Sequence, residues 1–379
     1  MKLTLQADVL NHIVGIVAKA VRSKSTGIGL ENILIQVEKD KINFIGTDME
    51  MQVTASLPFK ADKTGEILLP AGSFSQYIAT LDEATKVELN ATDSYLVLKA
   101  EGGTARFNVL SNNDFNLIHE DKLSVFAEIN PEQMLTAIKK TVFATLKGDE
   151  TRPILTGVYF DSNDSKLTLA GLDTFRMSVF KFQDVQTKKD LKFVVTYRAL
   201  QLLEKILRDS FLTSVLGAEK LVIKINKDAS LVAFVFGDIT LYVKTIEGSY
   251  PDYAAIIPVN FAVTGDVNAM EFSKALRKVG VFAQNSITKQ ILLKFYEDKL
   301  ELSSESQENG DSKQVVTAHF SGKDMPLEIG FQYKFLFEFL NSIDADEVVI
   351  KAVDNLSPVV FAEKGNEDNY VHIIMPLKI

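Results

Sequence analysis

The sequence predicts an α+β protein assembled from three copies of one unit, and two observations carry that prediction. The first is a recurring amphipathic helix. Ile129–Ala144 reads INPEQMLTAIKKTVFA, with Asn130 placed to cap it, Pro131 at the first helical position and Glu132 at the positive end of the dipole. Met134, Ile138 and Val142 return at four-residue spacing with Leu135 and Leu146 beside them, so one stripe is apolar. From Val267 the chain repeats cap and stripe as VNAMEFSKALRKVGVFA, with Phe272, Leu276 and Val279. A fainter copy, LQADVLNHIVGIVAKAV, stands near the start with Leu10, Val14, Val17 and Val21. The second observation is that each copy is followed by short alternating strands, one further helix and more strands. Spacings of about 124 and about 138 residues describe a chain built three times over.

The first unit, residues 1–127, opens on a strand at Lys2–Leu5 and its helix. Alternating runs at Asn32–Val37, Lys41–Gly46 and Met51–Leu57 read as antiparallel strands. Glu66–Leu69 leads into a helix at Ala71–Leu81, and strands at Lys86–Asn90, Tyr95–Ala100 and Thr104–Val109 follow. The second unit, 128–259, repeats this order. Its later helix, Tyr197–Arg208, turns Leu203, Ile206 and Leu207 inward and sets Arg198, Lys205 and Arg208 on a separate stripe. The third unit, 260–379, has its later helix at Gln332–Ile343, with Phe335, Leu336, Phe339 and Leu340 inward, and ends on a strand at Tyr370–Pro376. Asn113–Lys122 and Tyr250–Pro258 read as linkers, and SSESQENGDSK at 303–313 as a mobile polar turn. Helices with one apolar stripe each pack most economically on one face of a sheet, leaving their polar faces exposed together.

Composition narrows the function. The 379 residues are 46% hydrophobic and 24% charged, as in an ordinary globular protein. No run suits a membrane span, and the start MKLTLQADVL lacks the features of a secretion signal, so a cytoplasmic location is expected. Without cysteine there are no disulfides, thiolate nucleophiles or cysteine metal sites. Nucleotide-binding, zinc-protease and serine-hydrolase motifs are absent, and the four histidines have no ligand spacing. The nearest paired carboxylates, Asp48 with Glu50 and Asp161 with Asp164, read as solvated turn residues. A hydrolase using such scattered carboxylates is the least favoured reading. No enzyme activity, metal or cofactor is expected.

The net charge of −9 argues against nucleic acid, yet the repeated helices keep placing cations on equivalent polar faces. These are Lys19, Arg22 and Lys24 in the first unit, Lys140, Lys147, Arg198, Lys205 and Arg208 in the second, and Lys274 and Lys278 in the third. Any one lysine can be a solvated charge. Three aligned units would make a basic band suited to a DNA backbone, which is read by charge and not by sequence.

Several stretches together carry a family resemblance: MKLTLQADVL, FIGTDMEM at 44–51, TRPILTGVYFD at 151–161, LDTFRMSV at 172–179, EGSYPDYAAIIP at 247–258 and the terminal IIMPLKI. The chain resembles, end to end, the bacterial DNA polymerase III beta subunits, the sliding clamps. That resemblance implies three clamp domains in a crescent monomer, closing head to tail with a second copy into a six-domain ring around duplex DNA. It implies a non-catalytic processivity factor without exonuclease activity. Its partners would be the polymerase III alpha subunit, the clamp loader, and other polymerases and repair proteins that dock through short peptides. DNA contacts are expected at Lys24 and Arg152 by the resemblance, and at Lys140, Lys147, Arg198, Lys205 and Lys278 from the helix faces. The docking pocket implied by the family matches Leu155, Leu172, Thr174, Arg176, Met177, Pro251 and Ile256 in the second unit. In the third it matches Gln332, Phe335, Leu356, Pro358, Ile373, Ile374, Met375, Pro376 and Leu377. Thr174 and Phe175 stand where many members have Gly-His, and Ala255 where a basic residue is common, which makes the rim less polar. The dimer interface is expected to join Phe107 and Val109 of one copy to Val281 and Phe282 of the other. A reading from another class, a repeated β-rich scaffold that binds peptides or apolar ligands without DNA, is separated from this one by reversing the basic faces.

Overall fold

The structure is a computed structural model describing residues 2–21, 31–61, 63–112, 115–118, 122–148, 151–209, 219–323 and 325–378. One element order recurs three times. The first repeat runs β1 (Lys2–Gln6), α1 (Ala7–Val17), β2 (Asn32–Val37), β3 (Lys41–Thr47), β4 (Met51–Pro58), β5 (Gly65–Pro70), α2 (Ala71–Ile78), β6 (Lys86–Ala91), β7 (Tyr95–Ala100) and β8 (Gly103–Asn108). The second runs β9 (Ser124–Ile129), α3 (Pro131–Thr141), β10 (Gly157–Asn163), β11 (Lys166–Leu172), β12 (Arg176–Gln186), β13 (Lys192–Thr196), α4 (Tyr197–Arg208), β14 (Leu221–Ile225), β15 (Leu231–Phe236) and β16 (Ile239–Lys244). The third runs β17 (Val263–Asn268), α5 (Ala269–Gln284), β18 (Gln290–Phe295), β19 (Lys299–Ser306), β20 (Gly310–Gly322), β21 (Leu327–Gln332), α6 (Tyr333–Ser342), β22 (Glu347–Ala352), β23 (Val359–Glu363) and β24 (Tyr370–Ile374).

Within each repeat the first strand joins the last three, giving β1-β6-β7-β8 and its two equivalents, while the middle four form β5-β2-β3-β4 and its equivalents. The sheets then fuse across repeats by one rule. β16 pairs with β4, Leu241 opposite Val53, and β24 pairs with β12, Ile374 opposite Arg176. Two compact units result: Met1–Leu135 with Thr187–Lys189 and Arg198–Thr245, and the rest of the chain. Their boundaries follow the fused sheets and cut through the repeats.

The caps form as the sequence predicts. Asn130 accepts from the Glu132 N–H at 2.8 Å and Asn268 from that of Glu271 at 3.0 Å. The predicted stripes are buried, from Leu10 and Val14 through Met134 and Ile138 to Phe272 and Leu276. One contact recurs at equivalent helix positions. A Cβ on Gly46 would lie 2.4 Å from the Val17 carbonyl oxygen, and one on Gly171 2.2 Å from that of Thr141. In the third repeat the Ser304 hydroxyl donates to the Val279 carbonyl at 2.6 Å.

Three expectations change. Residues 303–313 are mostly strand: β19 and β20 meet at a short turn where Gly310 takes φ 92°, and Ser304 and Ser306 are buried. Alternating small polar residues satisfy a ladder as well as a loop. The Tyr250–Pro258 linker packs down, with Tyr250 stacked on Tyr159 at 4.4 Å and donating to the Ala170 carbonyl. Asp48 is not a solvated turn residue: it is buried and accepts from the Glu50 and Met51 N–H groups. No helix among the described residues is long and apolar enough to cross a membrane.

Candidate functional site

The fused β12–β24–β23 ladder builds an apolar row. Register places Met177 opposite Ile373 and Ile373 opposite Val360. Strand alternation turns these three to one face, where they form a buried cluster with Leu155, Ala170, Leu172 and Val179. Tyr250, Tyr253 and Ile256 pack against it. One step beyond the Arg176–Ile374 pair, the Met375 N–H donates to the Phe175 carbonyl at 2.8 Å, and Pro358 immediately precedes Val359, the residue opposite Ile374. There burial gives way to exposure: Phe175 is 55% exposed, Met375 37% and Leu356, in the neighbouring turn, 66%. Leu377 bridges to Gly330, so the segment after β24 is held on a second strand.

Arg176 anchors this edge. Its Nε donates to Asp173 at 3.1 Å, one terminal nitrogen to Glu338 and the other to the Phe143 carbonyl at 2.7 Å. The guanidinium also lies 4.5 Å from the Phe335 ring centroid and 5.4 Å from that of Phe143. Asp173 in turn accepts from the backbone N–H groups of Phe175 and Arg176. Phe335 stacks loosely on Phe175, centroids 6.4 Å apart.

The structure therefore gathers Leu155, Leu172, Met177, Ile256 and Ile373 as a floor, with Arg176, Phe335, Pro358 and Met375 along its edge. Thr174 and Pro251 are exposed, and Gln332 and Pro376 half-buried. Ile374 is a correction. Alternation turns it to the opposite face, into the third repeat's own core with Phe361 and Tyr370, so it cannot line the row. The sequence reading missed Phe143, Asp173, Glu338 and Val360. For Asp173 the signal was available, since LDTFR copies the turn of TDMEM.

Lys140 is the second correction. It is 3% exposed, and its ammonium donates to Glu363 from within 4.7 Å of the Tyr370 ring centroid. It cannot meet DNA. Ala137, Lys140, Thr141 and Ala144 form a second buried stripe of small residues on α3 and the turn after it, and lysine joins it only because Glu363 is there.

The remaining described cations, Lys147, Arg152, Arg198, Lys205 and Lys278, are exposed. Arg198 is tethered at 3.2 Å to Asp48. Lys205 stands near Lys19, whose pKa is lowered by partial burial and then by the Lys205 charge. Lys147 is lowered by partial burial, with Glu338 opposing and Arg176 and Lys334 adding to the effect. Lys24 lies outside the described residues. Phe107, in the edge strand β8, packs against Phe74 and Tyr77, Val281 is 57% exposed, and Phe282 sits 3.9 Å from a Cβ on Gly310. Among the described residues no group of three or more His, Asp or Glu could hold a metal ion.

Comparison with known proteins follows the repeats. Models of the DNA polymerase III beta subunit match as the N-terminal domain over 1–119, the central domain over 128–252 and the C-terminal domain over 254–378. The beta sliding clamp of Synechococcus elongatus is 26% identical over 384 residues, covering 100% of both chains. The fold matches the DNA polymerase III beta chain of Streptococcus pneumoniae with a TM-score of 0.91 at 20% identity. It matches the Pseudomonas aeruginosa sliding clamp bound to griselimycin with a TM-score of 0.90 at 21% identity, each over 100% of both chains. The chain belongs to the DNA polymerase III beta subunit family.

Proposed function

We infer that this chain is a non-catalytic DNA polymerase processivity factor, a sliding clamp that encircles duplex DNA and tethers polymerase III and other replication and repair proteins. The observation that carries the reading is the threefold recurrence of one helix-on-sheet domain across the whole chain, matched domain by domain by the beta subunit models. The domains run 1–127, 128–259 and 260–379, and the protein works in the cytoplasm, where the DNA is.

Sheet pairing supports ring closure. β16 pairs with β4 and β24 with β12, so β8 is the strand of the first repeat that lacks the corresponding partner, and β20 is its counterpart in the third. Among the described residues β8 pairs only with β7. Two copies joined head to tail would pair β8 with β20 twice, with Phe107 and Val109 meeting Val281 and Phe282. A ring holds DNA by topology, so its inner cations need only weak, sequence-independent phosphate contacts. Lys24, Lys147, Arg152, Arg198, Lys205 and Lys278 are the proposed set. The apolar row of Met177, Ile373 and Val360 with its exposed edge is the proposed dock for partner peptides, and griselimycin is a bound ligand of the P. aeruginosa clamp. No observation favours the DNA-free scaffold.

The test is loading on nicked circular DNA by a clamp loader, followed by gel filtration. Retention on the circle, release after linearisation and longer primer extension are expected. Equal loss from circular and linear DNA would overturn the reading.

A further inference from the structure

Two polar bridges join successive repeats through their helices, and both follow one pattern. In the first compact unit His12 of α1 faces Asp209, just past the end of α4, with Nδ1 3.0 Å from the carboxylate. In the second unit the Lys139 ammonium of α3 donates to Asp344, just past the end of α6. Each bridge runs from the first helix of one repeat to the end of the second helix of the next.

Equivalent positions follow from the contact that Val17, Thr141 and Val279 share. His12 lies five residues before Val17 and Lys274 five before Val279, while Lys139 lies two before Thr141 and Arg277 two before Val279. The second helices begin at Ala71, Tyr197 and Tyr333. Counted from those starts, Glu83 stands where Asp209 does and Asp82 where Asp344 does. The third repeat therefore carries a cation at both first-helix positions, and the first repeat a carboxylate at both positions after its second helix. All four residues are exposed, and none has an ion-pair partner among the described residues.

Their surroundings agree in sign. Arg277 lies 5.7 Å from the Phe337 ring centroid, with Lys278 next to it and Glu271 in the first turn of the helix. Asp344, which shares a groove with Lys274 and Arg277, is taken by Lys139. Beside Asp82 and Glu83 stand Glu101, which accepts the Asp82 N–H at 2.7 Å, and Asp8, whose N–H donates to the Glu83 carbonyl. Lys86 is the one cation close to them in sequence.

Resting on the ring reading above, we propose that the pattern continues between copies: Lys274 meets Glu83, and Arg277 meets Asp82, of a second copy of this chain. Charge complementarity selects that occupant. A bridge present twice within the chain has its third instance only between chains, beside the β8–β20 joint, where it sets the register of closure. Exposed pairs contribute little apiece, whereas like charges set face to face across an interface oppose association strongly.

The experiment is light scattering on the full chain over a concentration series. One variant combines Lys274→Glu with Arg277→Glu, and another Asp82→Lys with Glu83→Lys. Each alone places like charges at both joints, and should weaken the dimer about tenfold or more. Mixed in equal amounts, the two variants place opposite charges at both joints, and affinity should return to within about threefold of wild type. The residues are exposed, so circular dichroism matching wild type is expected for both variants. Dimers of unchanged affinity in both, or dimers lost and not recovered on mixing, overturn the pairs and leave the ring standing. Wild type found only as monomer at micromolar concentration overturns the ring, and the pairs with it.

Discussion

Lys140 of α3 and Glu363 of β23 form an ion pair inside the protein, their side chains 4% and 5% exposed. Glu363 is further held by the Asp344 N–H and by Asn366. Removing one partner of such a pair leaves the other buried and uncompensated, whereas removing both leaves ordinary apolar packing. Lys140→Ala should lower the stability of folding by about 3–5 kcal/mol in urea titration, while Lys140→Met with Glu363→Leu recovers most of that loss. Lys140→Ala should not change the salt dependence of DNA binding. A change equal to that of an exposed lysine would return Lys140 to the interface.

Exposed cations should behave oppositely. Lys205→Ala and Lys147→Ala should leave the melting curve within about 0.5 kcal/mol of wild type. Each should lower the slope of log K against log salt by about one, if each meets one phosphate. Unchanged slopes would remove them from the DNA face.

His372 is fully buried between the rings of Phe339 and Phe143, with its Nδ1 2.6 Å from the Ser178 hydroxyl. Burial, and then the Arg176 charge, hold it well below the ordinary imidazole value of 6.5. Between the two values the unfolded chain binds a proton that the folded chain refuses. Stability from this residue is therefore full above pH 6.5 and falls as the pH drops below it, by at most about 1.4 kcal/mol per pH unit. Urea midpoints from pH 7.5 to 5 should show a shallower decline for His372→Gln than for wild type. Parallel declines would show that other groups set the acid limb.

Two glycines give opposite expectations for one substitution. Gly171→Ala puts a Cβ against a backbone oxygen that cannot move alone, and should cost about 1–3 kcal/mol or more in urea titration. Gly15 lies within α1 with nothing within 4 Å of its Cβ position, so Gly15→Ala should stabilise by about 0.5–1 kcal/mol. Equal effects would mean that the helix and strand shift to make room.

Val281→Asp tests closure. The residue is 57% exposed, so the fold should survive, but a desolvated carboxylate at the joint should shift dimer to monomer at least tenfold in light scattering. A dimer of unchanged affinity would move the joint elsewhere.

The repeat, its caps and its apolar stripes were legible because they are local: Asn130, Met134 and Ile138 state their roles by spacing. The inward residues of α4 were legible for the same reason. What stayed hidden depends on partners distant in sequence. Nothing near Lys140 announces Glu363, more than two hundred residues later, and a lysine beside an apolar stripe reads as solvated until that carboxylate is known. Ile374 was assigned to the row with its neighbour Ile373, although a strand necessarily sends the two to opposite faces. Asp48 reads as a surface turn residue because an acceptor that caps a turn from inside has the composition of one outside.

The docking of Val17 on Gly46 and of Thr141 on Gly171 brings main chain against main chain, with a serine hydroxyl completing the third copy at Val279. A joint of this kind makes almost no demand on side chains beyond smallness at one strand position. The three copies could therefore drift apart in sequence, each acquiring its own surface, while the point at which helix meets strand stayed the same. Divergence of task within one chain needs such an invariant, and here it is a patch of bare backbone.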